Sequence, residues 1–140
     1  DGIVDRAIEA GRPVAVADVD RMMARYSDRL LELRAETIAR TESAEAVGHS
    51  SLESLRQVTE ANGIDQDQIK RTWRHAGDER TRNSHEQMGE EGKDGQERRG
   101  LDDPFTFPGG RMAMFPGDGS MGAPARELVN CRCWAEEDFV

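Results

Sequence analysis

Large apolar side chains are scarce in this sequence. Leu, Ile, Val and Phe make up 24 of its 140 residues, aromatic residues make up 5%, and the formal net charge is −9. A chain with so little apolar content and so much charge lies near the range in which a domain does not fold alone. We therefore expect a domain with a thin core that gains order from a partner, a ligand or an assembly. The negative charge also argues against a protein that coats DNA non-specifically, because phosphate binding needs clustered positive charge.

Long apolar runs are missing as well, and cysteine is rare. The apolar run at residues 14–17 is far shorter than the ~20 residues that a membrane-spanning helix needs, and no signal-peptide pattern opens the chain. We therefore expect no membrane partner. The two cysteines are too few for a disulfide framework and are interpreted as thiols in a reducing compartment. Because the first residue is Asp1 rather than methionine, we expect the chain to be a fragment of a longer protein.

The first 63 residues have a helical pattern. Apolar residues recur at alternating spacings of three and four, which predicts one helix or two consecutive helices with one face packed against a partner surface. Asp18 is suited to cap the start of this region, and Asn62-Gly63 is a good stop. The positions that define the face are Val16, Val19, Met23, Tyr26, Leu30, Leu33 and Thr37, and the spacing continues through Arg40, Ala44 and Val47.

Arg40 stands where this pattern expects an apolar residue, and two interpretations are open. In the first, the slip of about 20° per heptad between a straight helix and a seven-residue repeat turns Arg40 toward solvent. In the second, Arg40 and the nearby Glu42 bridge to the segment from Asp78 to His85 and to the strand that carries the cysteines. A buried arginine requires such pairing, because an unpaired buried charge is costly.

Residues 64–140 have a mixed pattern. Ile69, Arg71 and Trp73 alternate as they would in a short strand, although a helix capped by Asp65 is an alternative. Turn signals and short alternating runs over residues 104–119 and 129–135 predict a β-rich tail. The predicted fold class is therefore α+β, with a long N-terminal helical region (1–63) packed on a small C-terminal β-rich region (64–140), the two together forming one domain.

Between these strands we predict a helix and a loop. Asp78 is suited to cap a short helix that runs to about Met88, on which Asp78, Arg82 and His85 would share one face. Residues 89–103 carry four glycines, abundant charge and no aromatic residue, a composition typical of a mobile loop. The spacing of these glycines matches no phosphate-binding motif.

The two cysteines form a Cys-x-Cys pair. In an extended strand, Cys131 and Cys133 would point to the same face, and their backbone separation of about 6.6 Å disfavours a local disulfide. Two such thiolates, with His85 as a third ligand, are candidates for a structural zinc site, which needs four ligands. Two inert, partly buried thiols are the alternative, since free cysteine usually behaves in this way. The fourth ligand is left open among Asp78, His75 and His49.

Charged residues are concentrated between positions 70 and 85. Asp78, Arg80, Arg82 and His85 supply groups that acid–base chemistry or phosphate binding uses, but no nucleophile is evident beside them, which favours a structural polar network. The overlapping basic island at residues 70–82, which contains Trp73, is compatible with a small nucleic-acid contact. A face that meets an acidic partner or the protein's own acidic helices is favoured instead, because the net negative charge would repel DNA.

Five short segments, taken in order, resemble the phage Mu F-like head-morphogenesis family, whose members are minor head proteins of tailed phages. Each segment alone is weak, but the ordered series is fairly specific and covers about residues 20–135. The segments are Ile38-Ala39-Arg40-Thr41-Glu42, Trp73, Asp78-x-Arg80-Thr81-Arg82-x-x-His85, Pro116-Gly117-Asp118 and Asn130-Cys131-Arg132-Cys133. The sequence departs from the family pattern in a charged, glycine-rich insertion at residues 90–100 and at Gly119, which affects loops.

The resemblance implies a virion or procapsid component that lies in the capsid interior and is assembled in the host cytoplasm. Its implied partners are the portal protein or other head proteins, with packaged or ejected DNA as a further contact. It implies no catalytic residue, no small-molecule substrate and no cofactor beyond the candidate structural zinc. The signature residues carried over by position are Arg40, Glu42, Asp78, Arg80, Arg82, His85, Cys131 and Cys133.

A metal-dependent, nuclease-like enzyme that uses the cluster of His85, Cys131 and Cys133 is the alternative function, since a bound metal ion activates water for hydrolysis. A partner-binding module with no phage role is a third possibility. Metal analysis bears on the enzyme: stoichiometric zinc keeps that function open, and absence of zinc leaves only a metal-free enzyme.

Overall fold

The computed structural model describes residues 2–91 and 98–140. The chain consists of two compact units, Asp1–Thr37 and Ile38–Val140, so the predicted division at residue 63 marks a change of secondary structure and not the boundary between the units. Within the described ranges no helix is both long and apolar enough to cross a membrane. The elements in chain order are α1 (Gly2–Glu9), α2 (Val16–Asn62), β1 (Ile69–Arg74), α3 (Asn83–Glu91), β2 (Phe105–Thr106), β3 (Met112–Ala113), α4 (Ala125–Leu128) and β4 (Trp134–Phe139).

The predicted α+β fold class is confirmed, with the long helix α2 as its main helical element. Gly63 has a φ of 61°, and the N–H groups of Gly63 and Ile64 bond to the carbonyls of Glu60 and Thr59 at 3.3 and 3.0 Å. This is the hydrogen-bond pattern of a glycine-terminated helix, as the Asn62-Gly63 signal predicts. Asp18 does not cap α2; it lies in the first turn and pairs with Arg21 at 3.0 Å.

Strand β1 is the centre of the β region. It pairs antiparallel with β4, with Trp73 opposite Ala135, and on its other side the backbone groups of Arg71 and Arg99 exchange hydrogen bonds of 2.8 and 2.9 Å. Strands β2 and β3 form a separate short hairpin. The strand interpretation of residues 69–74 is therefore correct, and Asp65 caps only the 3₁₀ turn that precedes β1.

The second unit contains two small apolar clusters. The first surrounds Trp73, and the second lies where α2 meets β1 and the turn that follows β3. Arg71, which is 1% exposed, is a buried cation beside the second cluster. The thin core predicted from composition therefore contains a charged side chain as well as apolar ones. The buried members of the first cluster are Trp73, Met88, Phe105, Phe107, Ala113 and Ala123, and those of the second are Leu52, Ile69, Leu101 and Phe115.

Two local predictions need correction. The helix predicted to start at Asp78 starts instead at Asn83, because Asp78 accepts the Arg80 N–H at 3.1 Å and closes a separate turn. The loop predicted at residues 89–103 is helical over its first three residues and anchored at its end, where Leu101 is 2% exposed. The glycine-rich, charged composition of the segment does not reveal that the apolar side chain at this end is buried. Residues 92–97 of the predicted loop lie outside the described residues.

Replacing Gly48 with alanine tests the packing of α2 on the β region. Alanine normally stabilises a helix relative to glycine by up to ~1 kcal/mol, but a Cβ at Gly48 would collide with Cδ2 of the buried Phe115. We therefore expect Gly48→Ala to lower the free energy of unfolding by about 1–3 kcal/mol, the usual cost of overpacking, in urea denaturation. Ala46→Gly, at an exposed position, measures helix propensity alone. A more stable Gly48→Ala variant would contradict the observed contact.

Candidate metal centre

His85 lies in the first turn of α3 and is 1% exposed. Its Nδ1 atom is 3.2 Å from Cys133 Sγ and 3.6 Å from Cys131 Sγ. One ligand atom from each of the three residues lies within 4.8 Å of the other two. The structure thus brings together the three side chains that the sequence offers as metal ligands, here called the His85 cluster, across 46 to 48 residues of chain.

The two thiols reach the imidazole through a turn. The strand predicted over residues 129–135 needs correction, because β4 begins only at Trp134. Asn130 has a φ of 55°, a left-handed conformation that asparagine adopts more readily than most residues. The Cys131 N–H bonds to the Leu128 carbonyl at 3.1 Å and closes the turn after α4. Cys131 and Cys133 therefore approach His85 from this turn, and not from one face of an extended strand as predicted.

Aromatic rings pack against the imidazole. The ring centroids of Trp73 and Phe107 lie 5.4 and 5.5 Å from that of His85, with Trp73 edge-on. The indole Nε1 atom of Trp73 is buried and has no hydrogen-bond partner among the residues that the structure describes. The cluster therefore has an apolar surround in which two polar atoms, Trp73 Nε1 and His85 Nε2, form no hydrogen bond to the described residues.

Glu127 and Ser84 form a second layer around His85. Glu127 Oε2 lies 3.2 Å from His85 Nε2, although the angle is too poor for a hydrogen bond. The Ser84 hydroxyl donates to the same oxygen at 2.7 Å. Burial acts to raise the pKa of Glu127, but the hydrogen bond from Ser84 and the charge of His85 outweigh it and lower that pKa. Sequence reasoning missed Glu127, because a carboxylate behind a histidine has no fixed spacing in the chain.

The two thiols titrate as a coupled pair. The hydrogen bond from Cys133 lowers the pKa of Cys131, against the opposing effect of burial, and the hydrogen bond with His85 acts in the same direction. The hydrogen bond with Cys131, burial and the charge of the Cys131 thiolate together raise the pKa of Cys133. The pair therefore gives up one proton readily and retains the other, as two sulfur atoms sharing one proton should.

The other polar residues of the predicted network are engaged elsewhere. Asp78 is exposed and pairs with Arg132 at 2.6 Å, and the hydrogen bond from Arg132 lowers its pKa. Arg82 donates to the Val129 carbonyl and so ties the start of α3 to the turn that carries Cys131. Arg80 is exposed. Among the described residues neither Asp78 nor the histidines at 49 and 75 join the His85 cluster as a fourth ligand.

Arg40 lies on the exposed side of α2, as the first interpretation of its position proposed. Its Nη1 donates to Asn130 Oδ1 at 3.2 Å, and the Asn130 N–H donates to Thr41 Oγ1 at 3.2 Å. Glu42 is exposed and forms no ion pair within residues 2–91 and 98–140. Arg40 thus reaches the segment that carries the cysteines, as the second interpretation proposed, but through a hydrogen bond from an exposed position and not through a buried ion pair. Among the described residues, neither Arg40 nor Glu42 bonds to the segment from Asp78 to His85.

The Pro116-Gly117-Asp118 segment positions a turn against α2. Gly117 has a φ of 97°, and a Cβ there would lie 3.5 Å from the backbone nitrogen of Glu45. Asp118 is 3% exposed and accepts the N–H groups of Met114 and Ser120 at 2.7 and 2.8 Å. The segment thus serves packing, which accounts for its residue types without any catalytic role.

The basic island at residues 70–82 is largely used inside the fold. Arg71 is buried, Arg74 pairs with Glu136 at 2.5 Å, and Arg82 bonds to a backbone carbonyl. These three cations are thereby committed within the molecule. The geometry supports a structural use of the island in preference to a nucleic-acid surface.

The sequence model of a protein family described as phage Mu protein F like protein matches residues 4–136. The match defines a bacteriophage protein of the head-related structural class. The chain belongs to the phage Mu protein F-like family, which confirms the resemblance drawn from its five ordered segments. No curated protein and no solved structure gives a significant match.

Proposed function

We propose that this protein is a minor head protein of the virion and that it joins the head by docking α2 against a helix of the portal protein. The observation that carries the proposal is a row of large apolar side chains exposed on α2 in the first unit, here called the apolar stripe. Their exposed fractions range from 40% for Val19 to 75% for Val16. The members of the stripe are Val16, Val19, Met23, Tyr26, Leu30 and Leu33.

The spacing of the apolar stripe supports a helical partner. Its steps of three and four residues keep one face of a helix toward a partner when the two helices coil around each other. A monomer rarely exposes contiguous apolar surface on this scale, and such a patch marks an interaction site. The family supplies the class of partner, since a head-morphogenesis protein interacts with other head proteins.

A structural role in the head is favoured over a nuclease. The family is that of a phage head protein, and two of the three residues of the His85 cluster, His85 and Cys131, are only 1% and 3% exposed. Hydrolysis at a metal ion needs an open position that a substrate reaches. Contact with DNA, which the resemblance implies, is less favoured by the net charge of −9 and by the internal use of the basic island.

Leu30→Glu is expected to weaken binding to the portal protein of the same phage at least tenfold. Burying an unpaired carboxylate in an apolar helix interface costs more than the ~1.4 kcal/mol that corresponds to a tenfold change in affinity. The two proteins are co-expressed and purified through a tag on the portal. Their affinity is then measured by biolayer interferometry. Mass spectrometry of fractionated phage particles then tests whether the polypeptide is in the head.

Ala35→Glu is the matched control, because it adds the same carboxylate two positions beyond Leu33, on an exposed part of α2 outside the apolar stripe. We expect this variant to bind the portal as the parent does. Equal binding by the Leu30→Glu variant would refute the proposed docking surface. Self-association of the parent through the stripe, with no affinity for the portal, would also overturn the proposal and identify a second copy as the partner.

A further inference from the structure

We propose that the His85 cluster binds a zinc ion through His85 Nδ1, Cys131 Sγ and Cys133 Sγ, and that this ion fastens α3 to the turn between α4 and β4. The proposal concerns the second unit and is independent of the portal interaction, which uses the first. Zinc is the cation of choice for a set of one imidazole and two thiolates in a tetrahedral arrangement.

The distances between the ligand atoms fit such an ion. With Zn–S near 2.3 Å and Zn–N near 2.0–2.1 Å, tetrahedral geometry separates a nitrogen from a sulfur ligand by about 3.5 Å. The observed separations from His85 Nδ1 are 3.2 Å to Cys133 and 3.6 Å to Cys131. Small side-chain shifts are therefore enough for all three atoms to contact one ion.

The second layer is also that of a metal centre. A metal-bound histidine commonly directs its other ring nitrogen at a carboxylate, which fixes the orientation of the ring. Here His85 Nε2 faces Glu127, and Ser84 holds the same carboxylate oxygen. The indole N–H of Trp73 is buried in the apolar cluster against which Cys133 packs, and it has no hydrogen-bond partner in the described part of the chain. A metal-bound thiolate, as a strong acceptor, would satisfy it.

The described residues offer three protein ligands, so a water molecule would occupy the fourth position on the ion. A small cleft of about 10 Å³ reaches His85 and Cys133 and is bordered by three arginines. This volume is close to the ~10–15 Å³ that one buried water needs. The cleft thus has room for a single small ligand on the ion. Its bordering arginines are Arg80, Arg82 and Arg132.

Two other uses of the same atoms explain less of the arrangement. A Cys-His-Glu catalytic relay needs one thiol at the imidazole, whereas two thiols here approach the same Nδ1 atom. A disulfide between Cys131 and Cys133 would leave His85 Nδ1, which both sulfur atoms approach, without a thiol to bind. A bound zinc ion gives each of these groups a role.

The test uses the whole polypeptide, purified under reducing conditions. We expect about one zinc per chain by mass spectrometry of the metal content, as for a single structural site. Cobalt substitution should give a thiolate charge-transfer band and the visible bands of tetrahedral Co²⁺. Because the chain has only two cysteines, the charge-transfer band of the parent protein shows that these thiolates bind the ion even where a variant fails to fold.

Variants locate the site more sharply. His85→Ala, Cys131→Ser and Cys133→Ser should each lose the zinc, whereas His49→Ala, at an exposed histidine, should retain it. Glu127→Ala should bind zinc about 10–100-fold more weakly, the usual effect of removing a second-layer carboxylate, and Glu86→Ala, an exposed glutamate of α3, should not. A folded, reduced parent without zinc and without the cobalt thiolate band would overturn the proposal, as would a Cys131–Cys133 disulfide in its place.

Discussion

Arg71→Met is expected to lower the free energy of unfolding by about 3–5 kcal/mol, the usual cost of removing one partner from a buried charged network. The Arg71 side chain donates from Nε to the Gly100 carbonyl at 3.1 Å, and from its two terminal nitrogens to the carbonyls of Met114 and Asp103, both at 2.5 Å. Methionine fills much of the volume but donates nothing. Three carbonyls would then lose a donor, at about 1–3 kcal/mol for each that stays buried and unpaired.

Removing the buried charge of Arg71 also has a stabilising effect, but this effect is smaller than the loss of its hydrogen bonds. Burial lowers the pKa of Arg71, with the neighbouring charge of Arg56 adding to the effect, so removal of the cation recovers some desolvation energy. That recovery exceeds the loss only where every partner is replaced by apolar groups together. Here the partners are backbone carbonyls, which no substitution removes. The guanidinium also lies 5.2 Å from the centre of the Phe105 ring, a contact that methionine replaces only in part.

Arg74→Met provides the control. Arg74 lies in the same strand but on its half-exposed side, where it pairs with Glu136, and such surface pairs contribute about 0–1 kcal/mol. Urea unfolding followed by tryptophan fluorescence reports on the second unit, because both tryptophans lie in it. Equal losses in the two variants would show that the carbonyl contacts of Arg71 do not hold β1 to the segments around Gly100 and Met114.

Local signals in the sequence were sufficient for the end of α2 and for the central strand. The end of α2 at Asn62 follows from a glycine that adopts a left-handed conformation, and this requirement depends on no distant residue. The alternation of Ile69, Arg71 and Trp73 likewise predicts β1. These are cases in which backbone preference and side-chain period agree.

Non-local contacts decided the features that the sequence did not predict. Asp78 has the chemistry of a helix cap, but the guanidinium of Arg132, 54 residues later, engages its carboxylate at 2.6 Å. The buried end of the predicted mobile loop depends on Leu101 reaching the cluster around Leu52 and Phe115. No window of local sequence contains that information, because the partners come from other parts of the chain.

The candidate metal centre was predicted in its residues and not in its geometry. The chain has two cysteines and three histidines, and the predicted metal site groups His85 with the two cysteines, as the structure does. The turn at Asn130 and the carboxylate of Glu127 are products of the tertiary fold. The zinc ion itself is our proposal, and its second layer, formed by Glu127 and Ser84, depends on the tertiary structure.

Polar groups compensate for the scarce apolar residues at the places where the elements join. Arg71 joins β1 to the segments on either side of the β2–β3 hairpin, and Asp118 holds the turn that packs on α2. A zinc ion at His85 would act in the same manner between α3 and the cysteine turn, since metal binding contributes directly to folding free energy. Each of the few apolar contacts therefore contributes a large share of the stability, and Trp73 is the largest fully buried side chain among the described residues.

Trp73→Ala is expected to lower the free energy of unfolding by about 3–5 kcal/mol, as for other buried large aromatic residues. The side chain is 1% exposed and packs edge-on against Phe105 and Phe107, with ring centroids 5.3 and 5.5 Å away, as well as against His85. Such aromatic pairs contribute about 0.5–1.5 kcal/mol beyond burial alone. For a domain stabilised by roughly 5–15 kcal/mol, the variant should melt well below the parent in circular dichroism.

Trp134→Ala is the matched control, because the chain has only two tryptophans and Trp134 is 52% exposed at the start of β4. Its removal leaves no cavity, so we expect a change within about 0.5 kcal/mol, as for surface substitutions in general. Trp73→Phe separates packing from the indole N–H: it should recover most of the stability of the parent but not its zinc affinity. If Trp73→Ala and Trp134→Ala melted at the same temperature, the aromatic cluster would not be the core of the second unit, and the orientation of His85 would need another support.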